Sequence, residues 1–152
     1  MIDNTNKKIL SVLQGNGRIS NVDLANALNL SPTASLARVR QLEEDGYILG
    51  YSACLNPNLL DASLLTFIKV SLKTNTSQVL EKFSADIKPI PEVLECFLVA
   101  GTADYLIKAR VKDAAAQRHL LAEIRLMAGD VRHASMYMVI EEVKHANNVR
   151  IQ

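Results

Sequence analysis

The sequence predicts an α+β protein, an N-terminal winged helix-turn-helix followed by a ferredoxin-like βαββαβ domain. Three observations predict it. The first fifty residues carry apolar side chains at helical spacing, punctuated by residues that cap helices. Asn56-Pro57-Asn58 is a turn-rich break, and period-two alternation dominates after it. The later elements then run strand, helix, strand, strand, helix, strand, which is a split βαβ unit with four antiparallel strands and two helices on one face. The expected divisions are 1–55 for the helical domain, 56–63 for a linker, and 64–152 for the second domain with its C-terminal tail.

The first helix is expected from about Asp3 to Leu13, with Asp3 as N-cap and Ile9, Leu10 and Leu13 as its apolar stripe. Gly15 and Gly17 stop it. A second helix follows Ser20, which forms a capping box with Asp23, and Leu24, Ala25 and Leu28 face inward. Asn29-Leu30 makes a short turn. The third helix opens at Ser31-Pro32, because serine caps it and proline needs no partner in the first turn. It ends near Asp45-Gly46, where glycine takes a left-handed conformation. Tyr47 to Leu55 suits a short strand or hairpin turning at Gly50, the expected wing.

At about 100° per residue, Leu36, Val39 and Leu42 lie on one side of the third helix. Thr33, Ala34, Ala37, Arg38 and Gln41 lie broadly opposite. The second helix of a helix-turn-helix presents its N-terminal outer face to the major groove. Thr33, Ala37 and Arg38 are therefore the candidate base-facing positions, Ala34 belongs to the same DNA-binding face, and Arg40, Arg18 and helix-end amides suit phosphates. Three-helix elements also serve as protein-interaction modules, and the arginines equally suit a solvated surface.

In the second half, Leu64 to Lys73 alternates, with Thr66, Ile68, Val70 and Leu72 on one face. Ser77 to Ile87 is a helix capped by Ser77 and ended by Pro89 and Pro91. Val93 to Ala100 is a strand, Gly101 a turn, and Tyr105 to Val111 another strand. Asp113 caps a helix running to about Met127, and Ser135 to Glu142 is the last strand. Phe67 and the apolar runs Val93–Ala100 and Met136–Ile140 exceed what one helix layer covers. A dimer packed through the sheets is the simplest use for the surplus, and its twofold symmetry suits two DNA half-sites.

Composition excludes several classes. The chain of 152 residues is 49% hydrophobic, enough for a real core. Lys+Arg 17 against Asp+Glu 16 leaves +1, so there is no general basic coat for nucleic acid, although a local surface is compatible with that balance. No stretch approaches a membrane span, and the polar start MIDNTNKK does not suit a secretory signal. Cys54 and Cys96 are too few for a disulfide scaffold or a cysteine metal site, and as packed reduced thiols they fit the cytoplasm. An enzyme is not expected. His119, His133 and His145 have no metal-ligand spacing, and neither cysteine has a base partner in the sequence.

The segments Gly17–Ala25, Leu30–Thr33, Arg38–Ile48, Leu55–Pro57, Val93–Val99, Gly101–Tyr105 and Glu141–Lys144 resemble, in order and spacing, the Lrp/AsnC family of transcription regulators, on the side of its leucine-responsive members. The resemblance covers nearly the whole chain. It implies a DNA-binding regulator that dimerises through the ferredoxin-like domain and assembles further, often to an octamer. It also implies an amino-acid effector bound between dimers, with no other cofactor. Carried onto this chain, the effector loop falls on Gly101, Thr102, Ala103, Asp104 and Tyr105, with Ala134 and Met136 on the last strand beside it. Gly101 lets the backbone approach a carboxylate, and Asp104 suits an ammonium group.

Three departures matter. Thr102-Ala103 replaces a more acidic pair, and Ala134 and Met136 replace two threonines, which points to leucine or methionine rather than asparagine or lysine. Ala34-Ser-Leu-Ala37 replaces Pro-Cys-Leu-Glu, losing an acceptor that reads cytosine. Asp3 begins the first helix almost at once, without the longer basic arm of many relatives. Two rivals remain at this level. One is an effector-binding or assembly protein without specific DNA binding, the other a ferredoxin-like enzyme.

Overall fold

In the computed structural model, residues 2–127, 131–146 and 148–151 are described. The chain divides into two compact units. One holds the residues through Cys54 together with those from Lys144 onward, and the other is Leu55–Val143.

The first unit contains α1 (Asn4–Gly15), α2 (Asn21–Ala27) and α3 (Pro32–Glu44). Each starts where its cap places it. The Asp3 carboxylate accepts from the Asn6 amide at 2.7 Å, Ser20 from Asp23 at 3.1 Å, and Ser31 from Ala34 at 3.2 Å. The Ser20 hydroxyl also donates to the Asp23 carboxylate at 2.6 Å. Asn29, at φ +54°, makes the turn into α3, and Gly46, at φ +75°, closes it. Ile9, Leu24 and Leu42, one from each helix, form the buried centre, with Leu13, Val39 and Ile48 packed around them. Leu36, expected inward, is 40% exposed.

One expectation is corrected here. Tyr47–Leu55 contains no strand; after Leu42 accepts from the amides of Tyr47 and Ile48, the chain runs irregularly to Asn56. No ladder partner lies across from it among the described residues, and the Tyr51 hydroxyl, donating to Glu43 at 2.9 Å, takes over part of the anchoring. The described residues from Lys144 onward group with the helices, where the Gln14 side chain bonds both backbone polar groups of Val149. Residues 147 and 152 of that tail lie outside the described residues.

The second unit begins with a single 3₁₀ turn, Pro57–Leu59, within the expected linker. It continues with β1 (Leu64–Leu72), α4 (Ser77–Ile87), β2 (Val93–Leu98), β3 (Tyr105–Val111), α5 (Ala114–Leu126) and β4 (Val131–Met138). The sheet order is β2-β3-β1-β4, with every pairing antiparallel. Alternation sends Ile68, Val70 and Leu72 of β1 and Tyr105, Ile107, Ala109 and Val111 of β3 inward. There they meet Phe83 and Ile87 of α4 and Leu120 and Ile124 of α5.

The cap of α4 is Thr76, one residue before the expected Ser77. β4 starts four residues earlier than expected and ends at Met138, because its register is set by β1 (Leu72 opposite Val131, Thr66 opposite Met138) and not by its own hydropathy. β2 ends at Leu98 rather than Ala100. Residues 128–130 lie outside the described residues.

On the face away from the helices, Phe97 sits opposite Leu106, and Phe67 sits between Lys108 and Tyr137. Phe97 and Tyr137 are about half exposed, while Lys108 is paired with Glu95 at 2.7 Å. The outer face is thus apolar in part, with the Lys108 charge neutralised by Glu95.

Candidate functional site

Two surfaces carry the residues singled out from the sequence, one in each unit. In the helical unit, α3 turns Thr33, Ala34 and Ala37 to solvent at its N-terminal end, while Ser35 is fully buried on the opposite side. The Asn21 side chain donates to the Pro32 carbonyl at 2.8 Å, tying the starts of α2 and α3 together. That bond and the Asn29 turn fix the angle at which α3 is presented.

Arg38 is not the free guanidinium its sequence position suggests. One terminal nitrogen donates to the Asp3 carboxylate at 2.7 Å and to the Asn6 side-chain oxygen at 2.8 Å. Asp3 is therefore spent twice, one oxygen capping α1 and the other holding α3. The Asn6 amide first, and then Arg38, hold the Asp3 carboxyl below its ordinary value. Sequence reasoning missed this three-residue tie. Asp3 and Arg38 are 35 positions apart, and no local pattern links them. The side chains of Arg40 and Arg18 make no hydrogen bond or ion pair among the described residues, and Arg40 is exposed. Nearby, burial and then the bond to Glu43 push the Tyr51 phenol up to about 12.

In the sheet unit, the turn from β2 to β3 carries the second set. Gly101, at φ +150°, adopts backbone that a side chain would strain. Asp104 is built into the fold: its amide donates to the Val70 carbonyl at 2.9 Å, and its carboxylate accepts from the Leu72 amide at 2.7 Å. Lys69 donates to the Thr102 hydroxyl at 3.2 Å. Beside the turn lies a cavity of about 360 Å³, bounded by Ser71, Asn75, Thr102, Ala103, Asp104 and Arg132, among others. Its walls are polar, so the apolar lining expected from Ala134 and Met136 is not supplied here by a single chain.

Two expected effector residues are corrected. The Tyr105 ring is 2% exposed, packs on Phe83 with centroids 4.5 Å apart, and its hydroxyl donates to the Leu80 carbonyl at 2.9 Å. Ala134 is also 2% exposed and faces the helix layer. Both side chains belong to the core. Met136 is partly buried against that core. Gly101, Thr102, Ala103 and Asp104 remain together at the cavity, joined by Arg132 and Asn75, which sequence reasoning did not select. Arg132 became visible only when the strand register was known.

Comparison with known proteins covers both surfaces. Residues 65–149 match the family described as the Lrp/AsnC ligand binding domain, and residues 2–48 match the winged helix-turn-helix DNA-binding family. The chain is 46% identical over 151 residues to the leucine-responsive regulatory proteins of Salmonella typhimurium and Escherichia coli, covering 99% of itself and 92% of each relative. Among solved structures, a transcriptional regulator from Neisseria meningitidis, determined as its L-Met complex, is 37% identical with a TM-score of 0.92, over 99% of this chain and 97% of that one. An AsnC family transcriptional regulator from Agrobacterium tumefaciens is 28% identical, again with a TM-score of 0.92, over 98% and 97%.

Proposed function

We propose a role for each surface from one premise, that the chain belongs to the Lrp/AsnC family of transcriptional regulators. It is a sequence-specific DNA-binding regulator, not an enzyme, and it answers to a small amino acid. The observation that carries the finer reading is the end-to-end likeness to a relative solved as an L-Met complex, together with the cavity beside Gly101–Asp104.

Thr33, Ala34 and Ala37 face the bases, along with the guanidinium nitrogens of Arg38 not spent on Asp3 and Asn6. Arg40 and Arg18, whose side chains have no partner among the described residues, take phosphates. Methionine or leucine is the effector. Its carboxylate is drawn to the Arg132 side of the cavity and the amides around Gly101. The polar walls within one chain leave the apolar side chain to be covered by a second copy, so the binding site is completed between dimers. The dimer itself covers Phe67, Phe97, Leu106 and Tyr137 on the outer sheet face, and dimers assemble further to an octamer. No helix among the described residues is long and apolar enough to cross a membrane. The protein works in the cytoplasm, where its DNA is.

The test is a fluorescence-anisotropy titration with DNA from upstream of the protein's own gene, at fixed salt and with competitor DNA. Affinity shifts with L-methionine or L-leucine and stays put with asparagine or lysine. A stronger response to asparagine or lysine overturns the effector assignment. Arg40→Ala weakens all sequences alike and reduces the salt slope by about 1. Ala37→Glu changes base preference; unchanged preference removes Ala37 from the reading face.

A further inference from the structure

We infer that Asp3 and Asn6 are positioning residues for DNA reading: they grip one corner of the Arg38 guanidinium and so aim its remaining edge at a guanine. This rests on the proposed role of α3 at the bases and deepens it, by naming the base that Arg38 reads and the residues that aim it. The three residues close a ring of hydrogen bonds within the helical unit. The Asn6 amide donates to one Asp3 oxygen at 2.7 Å. Arg38 Nη1 donates to the other Asp3 oxygen at 2.7 Å and to the Asn6 side-chain oxygen at 2.8 Å. Asn6 thus serves twice, its backbone fixing Asp3 and its side chain fixing Arg38. Both acceptors stand at the start of α1, which Ile9 anchors against Leu24 of α2 and Leu42 of α3. The grip therefore comes from a packed helix and not from a loop, which makes it a precise one.

What the grip leaves over is chemically specific. A guanidinium carries five N–H donors in a planar fork. Nη1 spends its two on Asp3 and Asn6. Nη2 and Nε make no hydrogen bond among the described residues. Those two nitrogens share an edge and point one N–H each in parallel. Two parallel donors are what guanine O6 and N7 accept in the major groove. The Arg38 side chain is still 37% exposed, which leaves room for a partner.

Phosphate also accepts a fork, but the charges argue against it. A carboxylate at 2.7 Å offsets much of the Arg38 charge, and the long-range pull on phosphates falls with it. The Arg40 side chain has no such partner among the described residues. What Arg38 retains is direction, and a planar group held in place beforehand loses less freedom on binding. The second acceptor is a neutral asparagine, so Nη1 is held without a second negative charge beside the DNA.

The experiment selects binding sites from a randomised DNA pool at fixed salt, with the whole chain and its variants. Arg38→Ala marks the operator position that Arg38 reads. Wild type is expected to favour guanine there about tenfold or more over the other bases. Asp3→Asn keeps the oxygen that caps α1 and turns a donor toward Nη1, while Asn6→Ala keeps the capping amide and removes an acceptor. Both are expected to cut the guanine preference at least about threefold, at that position alone. Asn6→Asp is the conservative rescue: it restores the acceptor and with it the preference. Affinity lost evenly over all sequences in Asp3→Asn and Asn6→Ala makes the ring merely structural and overturns the positioning role. Another preferred base at the marked position, or unaltered selection by Arg38→Ala, overturns the guanine assignment. A wild type that selects no sequence overturns the base-facing role of α3 itself, and the inference falls with it.

Discussion

The two units solve the same stability problem by different means. The sheet unit buries a continuous apolar layer, with Ile68, Val70, Ile107 and Phe83 fully inside. Among the described residues the helical unit centres on a smaller cluster, Ile9, Leu24 and Leu42. It makes up the difference with polar ties: three capped helix starts, Asn21 on the Pro32 carbonyl, and Arg38 on Asp3 and Asn6. The smaller unit has a high ratio of surface to volume, which limits how much apolar area it can bury. The capping bonds are local and cost little apolar surface, whereas the Arg38 tie reaches across the sequence and spends part of that guanidinium.

The largest expected effects follow from that contrast. Leu42→Ala costs about 2–5 kcal/mol, more than a core of that size can spare. The helical unit then melts by itself while the sheet unit persists, as amide exchange resolved by unit will show. Phe83→Ala costs about 3–5 kcal/mol, and it falls on the sheet unit. A single cooperative transition, shifted as a whole by either substitution, would mean that the units are not separate in stability and would break the comparison.

A second pair sharpens it through buried hydroxyls. Ser35, on the inner side of α3, is fully buried, and its hydroxyl has no partner among the described residues. Thr66 in β1 is equally buried, but its hydroxyl donates to the Tyr137 carbonyl at 3.0 Å and accepts from Gln117 at 3.3 Å. Ser35→Ala therefore raises stability by about 1 kcal/mol, and Thr66→Val lowers it by about 1–3 kcal/mol. Chemical denaturation reads both. The same sign for the two substitutions would show that packing outweighs hydrogen bonding at these sites.

What was legible in the sequence divides along the same line. The caps at Asp3, Ser20 and Ser31 were visible because capping is decided within four residues. Thr76 and Ser77 both qualify as caps, and only the backbone chooses between them. The sheet interior was visible because β1 and β3 are central strands, β3 alternating strictly and β1 from Thr66 to Val70. β4 is an edge strand. Arg132 and His133 interrupt its apolar pattern, so its true start was hidden until β1 supplied the register. Resemblance selects the turn at Gly101–Tyr105 as a candidate but says nothing of the direction of its side chains, and Tyr105 and Ala134 both face the core. The Arg38 tie and the Gln14 clasp join residues far apart in sequence, and no spacing rule reaches them.

The smallest effect separates the units by pH. Asp3 and Asp113 are exposed N-caps, one per unit, and each carboxyl is held below its ordinary value of 3.8. The largest cause for each is a backbone amide, that of Asn6 for Asp3 and that of Ala116 for Asp113. A carboxyl lowered in the folded state stabilises fully above its unfolded value, and that contribution is lost as pH falls through the folded one. Both helix starts therefore loosen only below about pH 3.8 and are indifferent to pH above it. Asp3→Asn and Asp113→Asn each keep a good cap while removing the titration, and each flattens the acid limb of its own unit. The difference lies in reach. Protonating Asp113 touches only the start of α5, whereas protonating Asp3 also weakens the hold on Arg38 and so loosens α3. Amide exchange measured across the acid limb will show α1 and α3 losing protection together, and α5 losing it without its neighbours. If α3 keeps its protection while α1 frays, the Arg38 bond is ornamental, and the helical unit is held by its small core after all.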